Sequence, residues 1–589
     1  MKLYKYSLAF VFALGMMASC DDNLDLVNPN EQTSSTFGYT EDELEECVIA
    51  AYNHIRMEGS YARVGYTIDV TRGDEVWNSS QTWYLEFDDF NPDPSETTSD
   101  AISSWIWREW YYTINVCNFI TSRCGDDDSE LSTSMQYIKG QALFLRGLSY
   151  YNLAGYFQTV PLITDYETYS SLDGLYGANA TYDEVLDQVE ADFAEAMDLL
   201  PSKALGGEWS GGRATCGAAA GFYARTLMVR HKYSEALSVL QDIISGDYGT
   251  YKLMDDYGDN FQEGTAYENN DESLFEVQYL DTDSQGTDDE WTPVNTSANA
   301  TQGHAVESNF APGDFGGWAD LSASPWLYNL FKAEKTTSNT LDPRLYWTIG
   351  TYEADWDDMD YGNSAYGTTL TSSSENLITN NNYGGIPIAK FTNMRTGLYT
   401  TVTTGLHCGI NLRLMRYSDV LLRAAECSNE VNGPTQQAID WINQVRTRAG
   451  LANLKLSDFS SADKLFEQIA NVERPKEFGC EFGRGFDLIR WGFFLTTDRL
   501  NQMKEHGTFR RSSDRTVVKD AVSYDDIDND SELKCSFDTY VDGHEFLPIV
   551  AYLLNANPNL VGNSNNYSTS NASYFSDNGW TVHPVVDLE

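Results

Sequence analysis

The stretch RATCGAAAGFYARTLMVRHKYSEALSVLQDIISGDY, residues 213–248, decides the fold that the sequence predicts. Its first half sets small residues such as Gly221 and Ala224 beside large apolar ones, which suits a helix that a neighbouring helix approaches closely. Apolar residues in its second half recur on one face of a second helix, at Tyr233, Ala236, Leu240 and Ile243. With a turn at His231-Lys232, the stretch predicts a helical hairpin.

Small side chains at Ala224 and Ala236 are typical of tetratricopeptide-type helix pairs, which pack against further copies of themselves. A second hairpin, RYSDVLLRAAECSNEVNGPTQQAIDWINQVRTRAG, occupies residues 416–450, and Gly433-Pro434 marks its turn. A third is divided between helical stretches at 138–157 and 182–201. A chance match of an alanine-rich helix pair is a fair alternative for each hairpin alone. Three of them predict a mostly α-helical, tetratricopeptide-like scaffold.

The first twenty residues, MKLYKYSLAFVFALGMMASC, have the features of an export signal. A basic start precedes an apolar run that is shorter than the roughly 20 residues needed to span a bilayer. The ending Met17-Ala18-Ser19-Cys20 resembles a bacterial lipobox, so we predict a signal peptide at 1–19 and acyl chains, such as palmitate, on Cys20. An ordinary signal peptide that contains Cys20 by chance is the alternative. Residues 20–40 are then the lipidated tether and residues 41–589 a single domain.

The charge of the chain restricts its partners. Acidic residues number 88 against 38 basic ones, which gives a formal net charge of −50. So negative a surface repels phosphate backbones and anionic lipid headgroups. We therefore expect no nucleic-acid partner and no electrostatic docking to membranes, and a neutral ligand suits the chain better.

The motifs of common enzymes and metal sites do not occur in the sequence. It has no GxSxG, HExxH, GxGxxG or GxxxxGK[ST] pattern and no CxxC pair, so we expect buried free thiols, no cofactor and no catalysis. The many carboxylates leave a hydrolase open as a less favoured alternative. Residues 281–286, DTDSQG, imitate the start of a calcium loop, but Thr292 stands where the bidentate glutamate is needed. No metal site is predicted.

Long polar segments near 59–100, 281–326 and 352–404 interrupt the scaffold and contain isolated aromatic residues. Such loops in a compact protein are usually functional. A neutral glycan needs exposed aromatic planes for its C–H faces and polar groups for its hydroxyls. The predicted ligand-binding residues are Trp83, Trp291, Trp318, Trp77 and Asn78, with further polar groups from Arg72, Asp74 and Asp320. The alternative for each tryptophan is that it packs over the scaffold.

Ordered motifs along nearly the whole chain carry a family resemblance. They include ALFLRGLSYYNLAGYFQTVPLI at 142–163, GRATCGAAAGFYARTLM at 212–228, DESLFEVQY at 271–279, RYSDVLLRAAE at 416–426, FGRGFDLIRWG at 482–492 and FLPIVAYLLNANPNL at 546–560. With these motifs the chain resembles the SusD/RagB family of Bacteroidetes outer-membrane lipoproteins. Pro475, Cys480 and Leu547 depart from the family pattern, and all three belong to scaffold segments.

The resemblance implies four tetratricopeptide-like units that support a ligand-binding face made of loops. It implies a protein that is not an enzyme, captures neutral oligo- or polysaccharide and delivers it to a SusC-like TonB-dependent outer-membrane transporter. It also implies anchoring in the outer membrane facing the exterior, which the acidic Asp21-Asp22 after the lipobox favours. Capture of peptides, as in RagB-like members, is the alternative.

Overall fold

The computed structural model describes most of the chain from residue 38 onwards. The described residues are 38–78, 82–99, 101–125, 127–170, 174, 176–203, 212–280, 303–311, 317–318, 320–350, 386–393, 408–511, 532–535, 537, 539–562 and 571–588. At 82–83, 169–170, 509–511, 532–535 and 571–572 the description covers the backbone alone. The predicted signal peptide, Cys20 and the tether up to residue 37 lie outside these ranges.

Helices dominate the described residues, as predicted. The α-helices are α1 Glu41–Ile55, α2 Val64–Thr71, α3 Thr82–Asp88, α4 Ile102–Cys124, α5 Thr133–Phe157, α6 Tyr182–Leu199, α7 Cys216–Val229, α8 Tyr233–Ser245, α9 Val306–Phe310, α10 Pro325–Lys332, α11 Arg344–Thr348, α12 Tyr417–Asn432, α13 Gln436–Arg448, α14 Ala462–Gln468, α15 Arg474–Phe478, α16 Arg484–Arg490, α17 Thr497–His506, α18 Ala551–Ala556 and α19 Asn571–Asp577. Two π-helical turns occupy Glu58–Ala62 and Ile469–Glu473.

The hairpin predicted at 213–248 is formed by α7 and α8. Thr215 caps α7 by accepting a hydrogen bond from the Ala218 amide, and Gly246 ends α8 in the left-handed conformation. A Cβ at Gly221 would lie 2.1 Å from Sδ of Met415, so this glycine lets β4 approach α7 closely. Ala236, Leu240 and Ile243 are buried, which confirms the predicted apolar face of α8.

Four helix pairs pack in series within the described part of the chain. α1 packs on α4, α5 on α6, α7 on α8, and α12 on α13. Neighbouring pairs are joined where α4 meets α5, α6 meets α7, and α8 meets α12. The three predicted hairpins are therefore confirmed, and α1 with α4 supplies a fourth unit.

Short strands hold distant segments together. β1 Val76–Asn78 pairs antiparallel with β3 Leu321–Ala323, and β2 Ser273–Val277 pairs antiparallel with β4 Leu412–Arg416. β5 Thr508–Arg511 pairs with β6 Glu532–Cys535. The buried β2–β4 pair lies beneath α7 and leads directly into α12.

The segment expected as an open loop near 59–100 is largely folded and buried. Its first part forms a π-helical turn, then α2 and β1, in which every residue is buried. Composition did not predict this burial, because the elements are short and contain glycines that permit close packing. At Gly59, for example, a Cβ would lie 2.5 Å from the Trp105 carbonyl oxygen. Within the 281–326 segment, α9 and β3 are likewise buried.

Side chains of the cysteines are buried wherever the structure describes them. They are Cys47, Cys117, Cys124, Cys216, Cys408, Cys427 and Cys480, all free thiols as predicted. No helix among the described residues combines the length and apolar character that a membrane crossing needs.

Candidate functional site

The β1–β3 ladder brings together two of the segments predicted to bind ligand. Asn78, the last residue of β1, is paired with Leu321, the first residue of β3. Because the strands are antiparallel, the chain that leaves β1 towards Trp83 and the chain that enters β3 from Trp318 lie at the same end of the ladder. This end of the ladder is the candidate site.

Trp318 is a half-buried aromatic residue at this end. Its amide donates a hydrogen bond to the carbonyl of Ser308 at 2.6 Å, which fixes its backbone to α9. Its indole ring lies against a guanidinium, with 4.7 Å between the ring centroid and Cζ of Arg63. The ring is therefore held by a cation, and the residue as a whole is only partly buried.

Arg63 connects this ring to the other segment. Its Nη1 donates to Oε1 of Glu58 at 2.9 Å, and the guanidinium also interacts with the hydroxyl of Tyr84, the residue after Trp83. That hydroxyl accepts a hydrogen bond from Thr67 at 2.8 Å. Burial raises the pKa of Tyr84 to about 12 against the opposing effect of Arg63, so the phenol stays neutral.

We call Glu58, Arg63, Tyr84, Trp318 and Asp320 the Arg63 cluster. Four of its side chains are buried and only Trp318 reaches the surface. The two acidic members, Glu58 and Asp320, are 3% and 0% exposed. Neither is accessible to donate or accept a proton on a bound substrate, so this cluster offers a surface for stacking rather than an acid–base pair.

Several predicted ligand-binding residues are buried instead. Trp77 lies within β1 and is 1% exposed, so it has no free face for a sugar ring, and Asn78 beside it is 7% exposed. The strand pairing that buries them joins residues far apart in the sequence, which local composition does not reveal. At these two positions, where the sequence predicted ligand-binding residues, the structure has buried side chains.

Three of the polar groups proposed to assist are also engaged inside the protein. Asp74 forms an ion pair with Arg484 at 2.7 Å, and its other oxygen is 2.7 Å from Nδ1 of His506. Arg72 donates to the His544 carbonyl and lies over the ring of Phe90. Asp320 is fully buried beside Arg63. The side chains of these three residues are therefore held by contacts within the protein.

Other predicted features fall outside the described residues. Trp291 and the calcium-like stretch at 281–286 lie there, and Trp83 is described only by its backbone, in α3. In the part of the chain that the structure covers, no group of three histidine, cysteine or acidic side chains is arranged to hold a metal ion.

Arg63 and Glu58 were missed by the sequence prediction. They occur in EGSYARVGY, which shows neither helical nor strand periodicity. The one available signal was an arginine beside aromatic residues in a chain with few basic residues.

Known proteins resemble this chain in sequence. A model of the SusD family matches residues 271–567, and a family described as starch-binding, associating with outer membrane, matches residues 22–228. SusD-like protein P25 of Formosa agariphila is 23% identical over 513 residues, covering 83% of this chain and 90% of that protein.

Solved structures share the fold. A SusD superfamily protein from Bacteroides vulgatus has a TM-score of 0.67 at 22% identity, covering 90% of this chain and 99% of its own. Surface glycan-binding protein A from Bacteroides thetaiotaomicron, in complex with laminarihexaose, has a TM-score of 0.63 at 21% identity, covering 89% and 99%. With a family model that extends over half of the sequence and a scaffold of paired helices, the chain belongs to the SusD family.

Proposed function

We propose that this protein is a cell-surface lipoprotein that binds a neutral oligo- or polysaccharide and does not cleave it. The single observation that carries the proposal is the half-buried indole of Trp318, held by Arg63 at the place where the Trp83 and Trp318 segments converge. A rigid aromatic plane is what the C–H face of a sugar ring needs. The laminarihexaose complex of a structural relative supports the same ligand class.

The proposal is tested by isothermal titration of the protein against a panel of neutral polysaccharides and peptides. Trp318→Ala, Trp83→Ala and Trp291→Ala are then titrated with the ligand that the wild type retains. Loss of an aromatic anchor commonly costs on the order of 1 to 4 kcal/mol, so at least one variant should bind about tenfold more weakly.

A matched control is Trp580→Ala. Trp580 is also half-buried and also stacks on a side chain, His231, with 3.9 Å between ring centroids. It should keep full affinity. Retention of peptides alone would favour the peptide-binding alternative, and release of reducing ends from a bound glycan would favour a hydrolase.

We further propose that the protein delivers its ligand to a SusC-like TonB-dependent transporter. A tethered binding protein that takes up nutrients needs a separate route across the membrane, and family membership favours this partner. Extraction of membranes in mild detergent followed by pulldown should recover a large outer-membrane β-barrel protein. Recovery of the protein alone under several gentle conditions would contradict this part of the proposal.

A further inference from the structure

A second cleft lies between α1 and the end of β2, away from the Arg63 cluster. It encloses about 360 Å³, which is within the usual range for small-ligand sites. Its rim carries two exposed apolar side chains, Ile49 at 55% and Leu280 at 51% exposure. Its polar lining includes Arg56, Arg213 and Tyr279.

Tyr279 presents a hydroxyl group that the protein leaves without a hydrogen-bond partner. The residue is 6% exposed, its amide donates to Oδ1 of Asn411 at 2.7 Å, and its ring packs edge-on against His304. The ring is therefore fixed, yet its buried hydroxyl has no partner within the described structure. An unsatisfied buried hydroxyl costs free energy, and a ligand atom that accepts its hydrogen bond would recover this energy.

Arg56 lies beside this hydroxyl. Its Nε donates to Oδ1 of Asn53 at 2.7 Å, which fixes the guanidinium at the cleft. Burial lowers the pKa of Arg56, while its interaction with Tyr279 opposes the change. Partial desolvation of a cation strengthens its attraction for an anion that enters the same space.

Among the described residues that line the cleft, the one acidic residue, Glu276, is occupied elsewhere. The carboxylate of Glu276 accepts hydrogen bonds from the Asn269 amide and from Nδ2 of Asn411, both at 2.9 Å, and it also interacts with Arg413. Arg213, at the other side of the cleft, is paired with Glu45 and remains one-third exposed. In a chain with a net charge of −50, this cleft is lined by two guanidiniums, one of them paired with Glu45, and by the unpartnered hydroxyl of Tyr279.

We propose that this cleft binds a carboxylate-bearing ligand. One carboxylate oxygen would accept from Tyr279, the guanidinium of Arg56 would bind the charge, and Ile49 and Leu280 would contact the apolar face of the ligand. A uronic acid residue of a glycan and the C-terminus of a peptide share this chemistry. This site does not depend on Trp318 or on the rest of the Arg63 cluster.

The test is isothermal titration at pH 7 with two pairs of probes. The first pair is a trisaccharide of hexuronic acid and its neutral, carboxyl-reduced counterpart. The second is a tripeptide with a free C-terminus and the same peptide with an amidated C-terminus. We expect the charged member of at least one pair to bind and its neutral counterpart to bind at least about tenfold more weakly. The pair that binds identifies the source of the carboxylate.

Variants locate the binding. Tyr279→Phe, which changes no charge, and Arg56→Gln should each weaken binding of the charged probe about tenfold. Lys252→Gln is the control for loss of one positive charge, because Lys252 is 70% exposed and does not line the cleft. Lys252→Gln should bind the charged probe as the wild type does. Trp318→Ala should also bind the charged probe normally, even if it loses affinity for a neutral glycan.

Three results would overturn the inference. One is that neither charged probe binds the wild type. Another is that Tyr279→Phe, with an unchanged melting temperature, binds the charged probe as tightly as the wild type does. The third is that Trp318→Ala abolishes this binding, because the probe would then bind at Trp318 and not in the cleft.

Discussion

The indole ring of Trp318 lies on the guanidinium of Arg63, with 4.7 Å between the ring centroid and Cζ. The same guanidinium donates to Glu58 at 2.9 Å and is 2% exposed. The orientation of the surface tryptophan is therefore set by a buried ion pair. A planar guanidinium satisfies both contacts at once, because its face stacks on the ring while its N–H groups bond the carboxylate.

Arg63→Lys should weaken binding of the retained glycan about threefold to tenfold. Lysine keeps the charge opposite Glu58 but loses the planar face that holds the indole. The matched control is Arg499→Lys, since Arg499 is also buried, lies 4.4 Å from the ring centroid of Phe493 and pairs with Glu467 at 2.7 Å. Titration and melting temperature are measured for both variants. An equal loss of affinity in the two would show a general effect on folding.

The helix pairs could be predicted because each is encoded locally. In α8 the apolar side chains recur at helical spacing within thirteen residues, and the small residue Ala236 lies on the same buried face as Leu240 and Ile243. The burial of Trp77 could not be predicted, because it depends on pairing with Ser322, far along the chain. Trp318 lies just before β3, takes no part in this pairing and is only half-buried.

Asp419→Asn should destabilise the scaffold strongly. Asp419 at the start of α12 is 2.8 Å from Arg225 of α7, and it also accepts from Arg423 and Arg474. Burial raises the pKa of Asp419, but the three guanidiniums outweigh that effect and hold the pKa well below its usual value. Removing its charge leaves the buried Arg225 without the carboxylate it pairs with, and leaves Asp487 to compensate both Arg423 and Arg474.

We expect a loss on the order of 3 to 5 kcal/mol in the free energy of unfolding, measured by urea denaturation. The control is Asp271→Asn, which removes the exposed ion pair with Lys252 and should cost no more than about 1 kcal/mol. Similar losses in the two variants would mean that the Asp419 network does not join the helix pairs energetically.

Glu109→Gln should stabilise the protein, and more so at pH 8 than at pH 5. Glu109 in α4 is fully buried and neither of its carboxyl oxygens has a hydrogen-bond partner in the described structure. Burial raises its pKa to about 9, with Arg108 opposing and Glu58 adding to the change. At pH values between the unfolded pKa of about 4.5 and the folded pKa of about 9, the carboxyl group of Glu109 is protonated in the folded protein and ionised in the unfolded chain.

Stability of the wild type therefore falls as pH rises through this window. The contribution of Glu109 is on the order of 2 to 4 kcal/mol between pH 5 and pH 8, and the variant lacks it. Melting temperatures at the two pH values check the prediction. Parallel pH dependence in wild type and variant would show that Glu109 ionises normally.

His583→Gln should lower the melting temperature more at pH 5.5 than at pH 8.5. His583 is 2.7 Å from Asp463 and 2.8 Å from Glu430, and its ring stacks on Phe466. Burial lowers the pKa of His583, but the two carboxylates outweigh it and raise the pKa above its usual value. A raised histidine pKa gives stability that is present below about pH 6.5 and lost as pH rises through the folded pKa.

His231, which lies between α7 and α8, provides the opposite case. Its ring stacks on Trp580, in the same C-terminal segment as His583. Burial lowers the pKa of His231 to about 4, so the wild type loses stability as pH falls below about 6.5. His231→Gln should therefore cost less stability at pH 5.5 than at pH 8.5. The same pH trend in both variants would contradict the assigned directions.

Cys20→Ala should release the protein from membranes. We predict that acylated Cys20 is the anchor, because the preceding residues resemble a lipobox and the apolar run before it is too short to span a bilayer. Two or more acyl chains hold a protein stably at a membrane, whereas one chain binds only reversibly. Fractionation should therefore find the wild type in the outer membrane and Cys20→Ala in the soluble fraction. Cys47→Ala, which removes a buried thiol of α1, is the control and should stay with the membrane.

Because Asp21-Asp22 favours an outward position, protease added to intact cells should digest the wild type. Membrane retention of Cys20→Ala would refute the lipid anchor, and protection of the wild type from protease would refute the outward orientation.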